Sequence, residues 1–299
     1  MTHAHGGGGT ATLDLLLIGL AALAIVAYVS GMVTTRRRGR SWSTDRLGLW
    51  TLGIVAAGAT VVGPMAAAAR EDFVRHMAAH LAVGMIAPLL LVLAAPVTLA
   101  LRTLHVTPAR RISRLLRSAP ARFITHPVTA GVLSAGGLWV IYLTPVFEAM
   151  QAIPLLHVLV QGHLLVSGYL FAAAIIGQDP SPHAPRPVLR AVVLVLAMAS
   201  HAVLAKQLYA HPPAGVPVAE AQDGALLMYY GGAAIEIAIV VIFCARWYRV
   251  AGRRLAPRTA EAQGTAAAPR AADTSRAADA PRAADAPRAA AAAGMLPVE

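Results

Sequence analysis

The sequence predicts an all-α, polytopic membrane protein, a bundle of about seven transmembrane helices. Three observations predict it. Of the 299 residues, 57% are hydrophobic and only 13% are charged, about half the charged share of a soluble domain. Seven apolar runs reach the roughly 20 residues that a helix needs to cross a hydrocarbon core. Arginines gather in every second segment between those runs, which is how charge orients a membrane protein.

The first run extends from about Leu13 to Val33 and the second from about Leu47 to Ala69. The third, Met77 to Leu101, contains Pro88 and Pro96. Prolines are tolerated in a span when neighbouring helices take up the freed carbonyls, and Pro88 is expected to kink the helix. The fourth runs from Val128 to Phe147, the fifth from Leu155 to Gly177, the sixth from Val188 to Tyr209 and the seventh from Gly224 to Ala245. Residues 13–247 thus form the membrane domain.

Orientation follows from the loops. Arg36, Arg37, Arg38 and Arg40 follow the first span, and Arg102, Arg110, Arg111, Arg114, Arg117 and Arg122 follow the third. Arg186 precedes the sixth and Arg190 stands at its start, and Arg246, Arg249, Arg253 and Arg254 follow the seventh. The alternate loops carry little net positive charge. The positive-inside rule puts the N-terminus outside and the C-terminus in the cytoplasm, the topology of a multi-pass protein of a bacterial plasma membrane. The net charge of +11 therefore belongs to the lipid setting and not to nucleic acid, for which no motif is present.

Residues 107–117 read equally well as a short amphipathic helix on the inner membrane surface or as a basic loop. Residues 1–12 are expected to be a mobile outer segment holding His3 and His5. Its His/Gly-rich start has no basic n-region, so no cleaved signal peptide is expected. Residues 257–299 are of low complexity, with Arg276-Ala-Ala-Asp279-Ala-Pro recurring at Arg282, and hold few large apolar residues, so residues 248–299 are expected to be a disordered cytoplasmic tail. Cys244 is the single cysteine, which excludes an internal disulfide and a Cys-only metal site.

Candidate functional residues emerge from depth. His76 and His80 sit in the first turns of span three, His157 and His163 in the first half of span five, and His201 in the last half of span six. With that topology all fall in the outer half of the membrane, on three helices. Ionisable groups in spans are costly and face the bundle interior. His76 and His80 lie one turn apart on one face, a spacing that suits two ligands to copper or zinc, or an approach to haem. Gln161 shares the face of His157. Met77 and Met228 offer soft thioethers, although apolar packing explains them as well. Glu236 lies deep in span seven, where a structural bond to a neighbouring polar group is expected.

Several short motifs occur in order: His76-Met77-Ala78-Ala79-His80, Pro88-Leu89-Leu90, Ala95-Pro96, His126-Pro127 and Tyr142-Leu143-Thr144-Pro145. Gly162-His163-Leu164, Asp179-Pro180, Ser200-His201 and Gln222-Asp223-Gly224 with Met228 and Glu236 follow. In this set the chain resembles the multi-span CtaG family of cytochrome c oxidase assembly factors, from about Arg46 to Trp247. It departs at the entry to span seven, where Gln222-Asp223 and Tyr229 replace the family's usual Asp-Gln and Trp. The resemblance implies a non-enzymatic role in maturing a haem-copper oxidase, with oxidase subunits as partners and copper supplied at the outer face. His76 and His80 are then the expected copper ligands, with His201 or a span-five histidine, and Met77 or Met228 as a soft alternative.

A haem-binding membrane electron carrier is the main rival, and a metal-free assembly scaffold is another. The inner halves of the spans are nearly free of polar groups, which argues against a transporter. Span seven has no lysine for a Schiff base, which argues against a retinal protein.

Overall fold

The computed structural model describes residues 7–178 and 185–278. Every regular element among them is a helix. Five helices are long and apolar enough to cross a membrane, and counting each of two bent pairs as one span gives up to seven. Numbered so, the spans are Thr12–Arg37, Thr44–Ala59 with Pro64–Glu71, Phe73–Thr103, Pro127–Leu143 with Val146–Ala152, Pro154–Ile176, Pro187–Ala210 and Val218–Gly252. The paired helices bend by 45° in span two and by 77° in span four.

Proline sets most of these boundaries. Pro64, Pro96, Pro127, Pro154 and Pro187 each stand in the first turn of a helix, where the missing N–H is not needed. The residue before a proline is pushed out of the helical region, and His126, Ile153 and Arg186 are accordingly extended. Thr144 is extended for the same reason before Pro145, which breaks span four. The bend in span two falls at Gly63, whose φ of +87° favours glycine. Neither break was expected from the uninterrupted apolar character of the runs.

Inside span three the two prolines are handled differently. Pro88 cannot donate to the carbonyl four residues back, at Gly84. A π-helical turn, Ala82–Ile86, accommodates it, with the Ala87 N–H bonded to the Ala82 carbonyl. At Pro96 the helix is interrupted, with Ala95 in the left-handed region at φ +54°. The Tyr28 hydroxyl donates to the Ala94 carbonyl at 2.8 Å, and Trp42 Nε1 donates to that hydroxyl at 3.2 Å. Span one and the loop after it thereby supply the partners that the break requires. A second π turn, Val132–Gly136, lies in span four.

Span five packs on the π turn of span three and on the helix after it. Their closest approach is at Gly168, where a Cβ would collide with the Gly84 carbonyl and come within 2.9 Å of Pro88. The other faces of the spans are apolar and exposed, as at Leu15, Leu20 and Leu23 of span one. Such faces suit lipid, which leaves the bundle to be held by close packing and polar contacts.

The basic segments meet at helix ends. Arg38 Nη1 donates to the Arg102 carbonyl at 3.0 Å, joining the loops after spans one and three. Arg246 Nη2 donates to the Gly177 carbonyl at 3.0 Å, and Arg190 donates to the Ile175 carbonyl. Between spans three and four, Val106–Leu116 is a helix with no buried residue, so the segment read as either helix or loop is helical.

By contact the chain divides into two units, Met1–Trp247 and Tyr248–Glu299. The described part of the second, 248–278, is helical. The segment is rich in alanine, the residue with the strongest helix preference. The rest of that tail, and His3 and His5, lie outside the described residues.

Replacement of Gly168 by Ala is expected to overpack the contact between spans three and five, at a cost of about 1–3 kcal/mol. A melting curve of the detergent-solubilised variant checks this, with a Tm several degrees below wild type as the expected outcome.

Candidate functional site

The site grows from the first turns of span three. The Asp72 carboxylate caps this helix by accepting from Arg75 N at 2.8 Å, and the Phe73 N–H is bonded to the Glu220 carboxylate from span seven. With the start fixed at both points, the 3.6-residue period turns His76, Met77 and His80 into the bundle. All are buried, at 3%, 0% and 2% exposure.

His76 lies in an aromatic enclosure. The Phe73 ring stacks on it at 6.0 Å between centroids, and the Phe147 ring meets it edge-on at 5.2 Å. His76 Nε2 stands 3.2 Å from the Tyr142 hydroxyl, which also donates to Met77 Sδ at 3.7 Å. Tyr142 stood in a recognised motif of the sequence, but nothing there revealed that it bridges the first histidine and the methionine beside it.

His80, one turn deeper, faces His201 of span six. Their ring centroids are 6.2 Å apart and their planes 27° from parallel. His201 Nδ1 lies 3.5 Å from Glu236 Oε1 of span seven, so the buried carboxylate has the polar neighbour expected of it. Glycine clears the space, since a Cβ on Gly232 would strike the His201 ring and one on Gly84 would sit 3.4 Å from His80.

The span-five histidines are placed differently. His157 is buried at 1% exposure, with Nε2 at 3.5 Å from Gln161 Nε2 on the same face. His163 is exposed and donates from Nε2 to the Leu133 carbonyl at 3.2 Å, within the π turn of span four. Its ring occupies the space left by Gly137, so it supports that turn and stands apart from the His80–His201 pair. Met77 and Met228 are both fully buried in the apolar core. Lys206 places its ammonium 5.5 Å from the centre of the Tyr229 ring.

Beside His80 and His201 lies a cavity of about 60 Å³. Both π turns contribute to its wall, through Met85 and Ser134, and Met198 and Glu236 complete its polar and sulfur-bearing side. Met85 and Met198 escaped the sequence reading. Met198 had a visible signal, because it precedes His201 by three residues and so shares its helical face.

Three buried imidazole nitrogens of the facing pair have no hydrogen-bond partner among the described residues: both nitrogens of His80 and Nε2 of His201. Leaving a buried polar group unsatisfied costs about 1–3 kcal/mol, and such concentrations call for explanation. In this arrangement no three His, Cys, Asp or Glu side chains among the described residues stand close enough together to hold a metal ion. The geometry offers a facing pair of imidazoles, with thioethers along the adjoining cavity.

Comparison with known proteins agrees with the fold. The model of a family described as cytochrome c oxidase caa3 assembly factor (Caa3_CtaG) matches residues 26–250. Uncharacterized proteins of Mycobacterium bovis and Mycobacterium tuberculosis are each 41% identical over 174 residues, covering 56% of this chain and 26% of theirs. One from Mycobacterium leprae is 36% identical over 194 residues, covering 62% of this chain and 29% of its own. The chain thus spans about a quarter of the length of these curated relatives. No solved structure matches.

Tyr142→Phe removes the partner of His76 Nε2 and is expected to cost about 1–3 kcal/mol. At roughly 2–4 °C per kcal/mol for a chain of this size, thermal unfolding should show the loss. An unchanged Tm would mean that the hydroxyl does not stabilise the imidazole.

Proposed function

We propose a copper-handling role for this chain, which belongs to the family of cytochrome c oxidase caa3 assembly factors. In this reading it is a non-catalytic, multi-pass membrane protein that binds copper between His80 and His201 and passes it to a subunit of a haem-copper oxidase during assembly. Copper is the cargo. By the positive-inside rule the Arg-rich loops face the cytoplasm, so the His76 end of the bundle lies toward the outer face.

The observation that carries the reading is the pair of facing, buried imidazoles with unpartnered nitrogens. Neutral imidazole is a good copper ligand, and a bound ion offsets the cost of leaving those nitrogens without partners. Two imidazoles also form an incomplete coordination shell. Closed shells belong to structural sites, whereas a shell with open positions lets an incoming ligand displace a resident one. His76, a turn nearer the helix start, serves as a relay toward that end.

The dimensions favour copper over haem. A cavity of about 60 Å³ is far below the roughly 300–1,000 Å³ of pockets that hold even drug-sized ligands.

Elemental analysis and an absorption spectrum of the detergent-purified full chain test the proposal. We expect copper near one per chain after loading, no Soret band, loss of copper in His80→Ala and in His201→Ala, and retention in His163→Ala. In cells, His80→Ala should lower oxidase copper while leaving the level of this protein unchanged. A Soret band would instead identify a haem carrier, and no metal after copper loading would leave a metal-free scaffold.

A further inference from the structure

We infer that the chamber between the two π turns is a seat selective for monovalent copper, in which Met85 and Met198 join His80 and His201 as ligands and Glu236 positions His201 and balances the charge of the ion. This rests on the copper reading and adds to it the oxidation state, two sulfur ligands and the role of the buried carboxylate.

The π turn makes the ligand set possible. In a regular α-helix, residues five apart diverge by more than a third of a turn, so Met85 would point away from His80. The i→i+5 turn at Ala82–Ile86 winds more slowly and brings both residues to the same cavity. Such turns are frequent at functional sites. On span six the ordinary period suffices, since Met198 and His201 are three residues apart and line the same chamber. Two imidazoles and two thioethers form a soft, neutral donor set, which favours Cu(I) over harder ions. Zinc is served worse, because its structural sites require four nitrogen, thiolate or carboxylate donors, and here no three such side chains converge.

Charge leads to the same ion. Glu236 is 8% exposed, and its polar neighbour is His201 Nδ1 at 3.5 Å. A carboxylate on one ring nitrogen fixes the imidazole tautomer, with Nδ1 protonated and the lone pair of Nε2 free. His201 Nε2 is the atom without a partner. One cation with one carboxylate is neutral in the membrane interior, whereas a divalent ion would leave a net charge there, which a low-dielectric site penalises.

Competition for Cu(I) between the detergent-purified full chain and bicinchoninate, with parallel Zn(II) titrations and copper-edge X-ray absorption, tests this. Wild type should bind Cu(I) in preference to Zn(II) and show both nitrogen and sulfur scattering. Met85→Leu/Met198→Leu, which conserves core volume, should lose the sulfur signal and bind Cu(I) more weakly. Glu236→Gln keeps an acceptor for Nδ1 but loses the charge, and Cu(I) affinity should fall about 10–100-fold. Copper lost in His80→Ala but bound normally by these variants, copper with no sulfur neighbour, or Zn(II) bound as tightly as Cu(I) overturns this assignment and leaves the copper reading standing. No copper bound by wild type at all overturns both.

Discussion

In the bundle interior no water is at hand to partner a polar group, and the rest of the structure answers to that constraint. At several places where the chain leaves the regular helix, a side chain from elsewhere in the bundle takes up a backbone carbonyl. Tyr28 reaches the Ala94 carbonyl beside the break at Pro96. His163 reaches Leu133 in the π turn of span four. Arg190 and Arg246 reach Ile175 and Gly177 at the end of span five. Partners from neighbouring spans thus join helices as well as satisfy them, which matters because apolar faces bathed in lipid supply no hydrophobic drive toward one another.

Against that background the imidazole array is an exception. The carbonyl beside Pro96 finds a partner, while three nitrogens of the facing histidines do not. A bundle that packs a tyrosine hydroxyl against His76 Nε2 has the means to satisfy imidazoles. Violations of the rules of polar satisfaction concentrate where function requires them, at the expense of stability elsewhere. The array is therefore the part of the fold least explained by folding alone.

The spans were legible because a run of about 20 apolar residues has few other uses, and the seven runs of the sequence correspond to the helices and bent pairs of the structure. The histidines were legible for the converse reason, since an ionisable residue stands out in such a run. The breaks at Gly63 and Thr144 were not, because hydropathy is blind to backbone direction. At the site itself Met77 takes its weight in the sequence from adjacency to His76, yet its sulfur lies against the Tyr142 hydroxyl in the packed core. Met85 was hidden by the assumption of a constant 3.6-residue period. A single π turn shifts the phase of everything after it, and no composition signal marks its position other than a proline six residues past its start.

The same turn explains why Pro88 is compatible with a site of this kind. The π turn at Ala82–Ile86 lets the helix carry Pro88, and Met85 of that turn lines the chamber together with His80. The proline therefore acts through geometry, with no contact to an ion required of it. Glycine plays the complementary part, since Gly84 and Gly232 leave room for the rings of His80 and His201, and Gly168 lets span five approach the widened turn. A site assembled in this way has its shape set by the backbone and half of its donors in neutral thioethers. On the proposed role the combination is coherent. The backbone keeps the imidazoles facing each other between loading and release, and an incoming ligand displaces a thioether more readily than the thiolates or imidazoles that hold a structural metal. An enclosure completed by a third histidine would bind more tightly and exchange more slowly, which serves storage better than delivery.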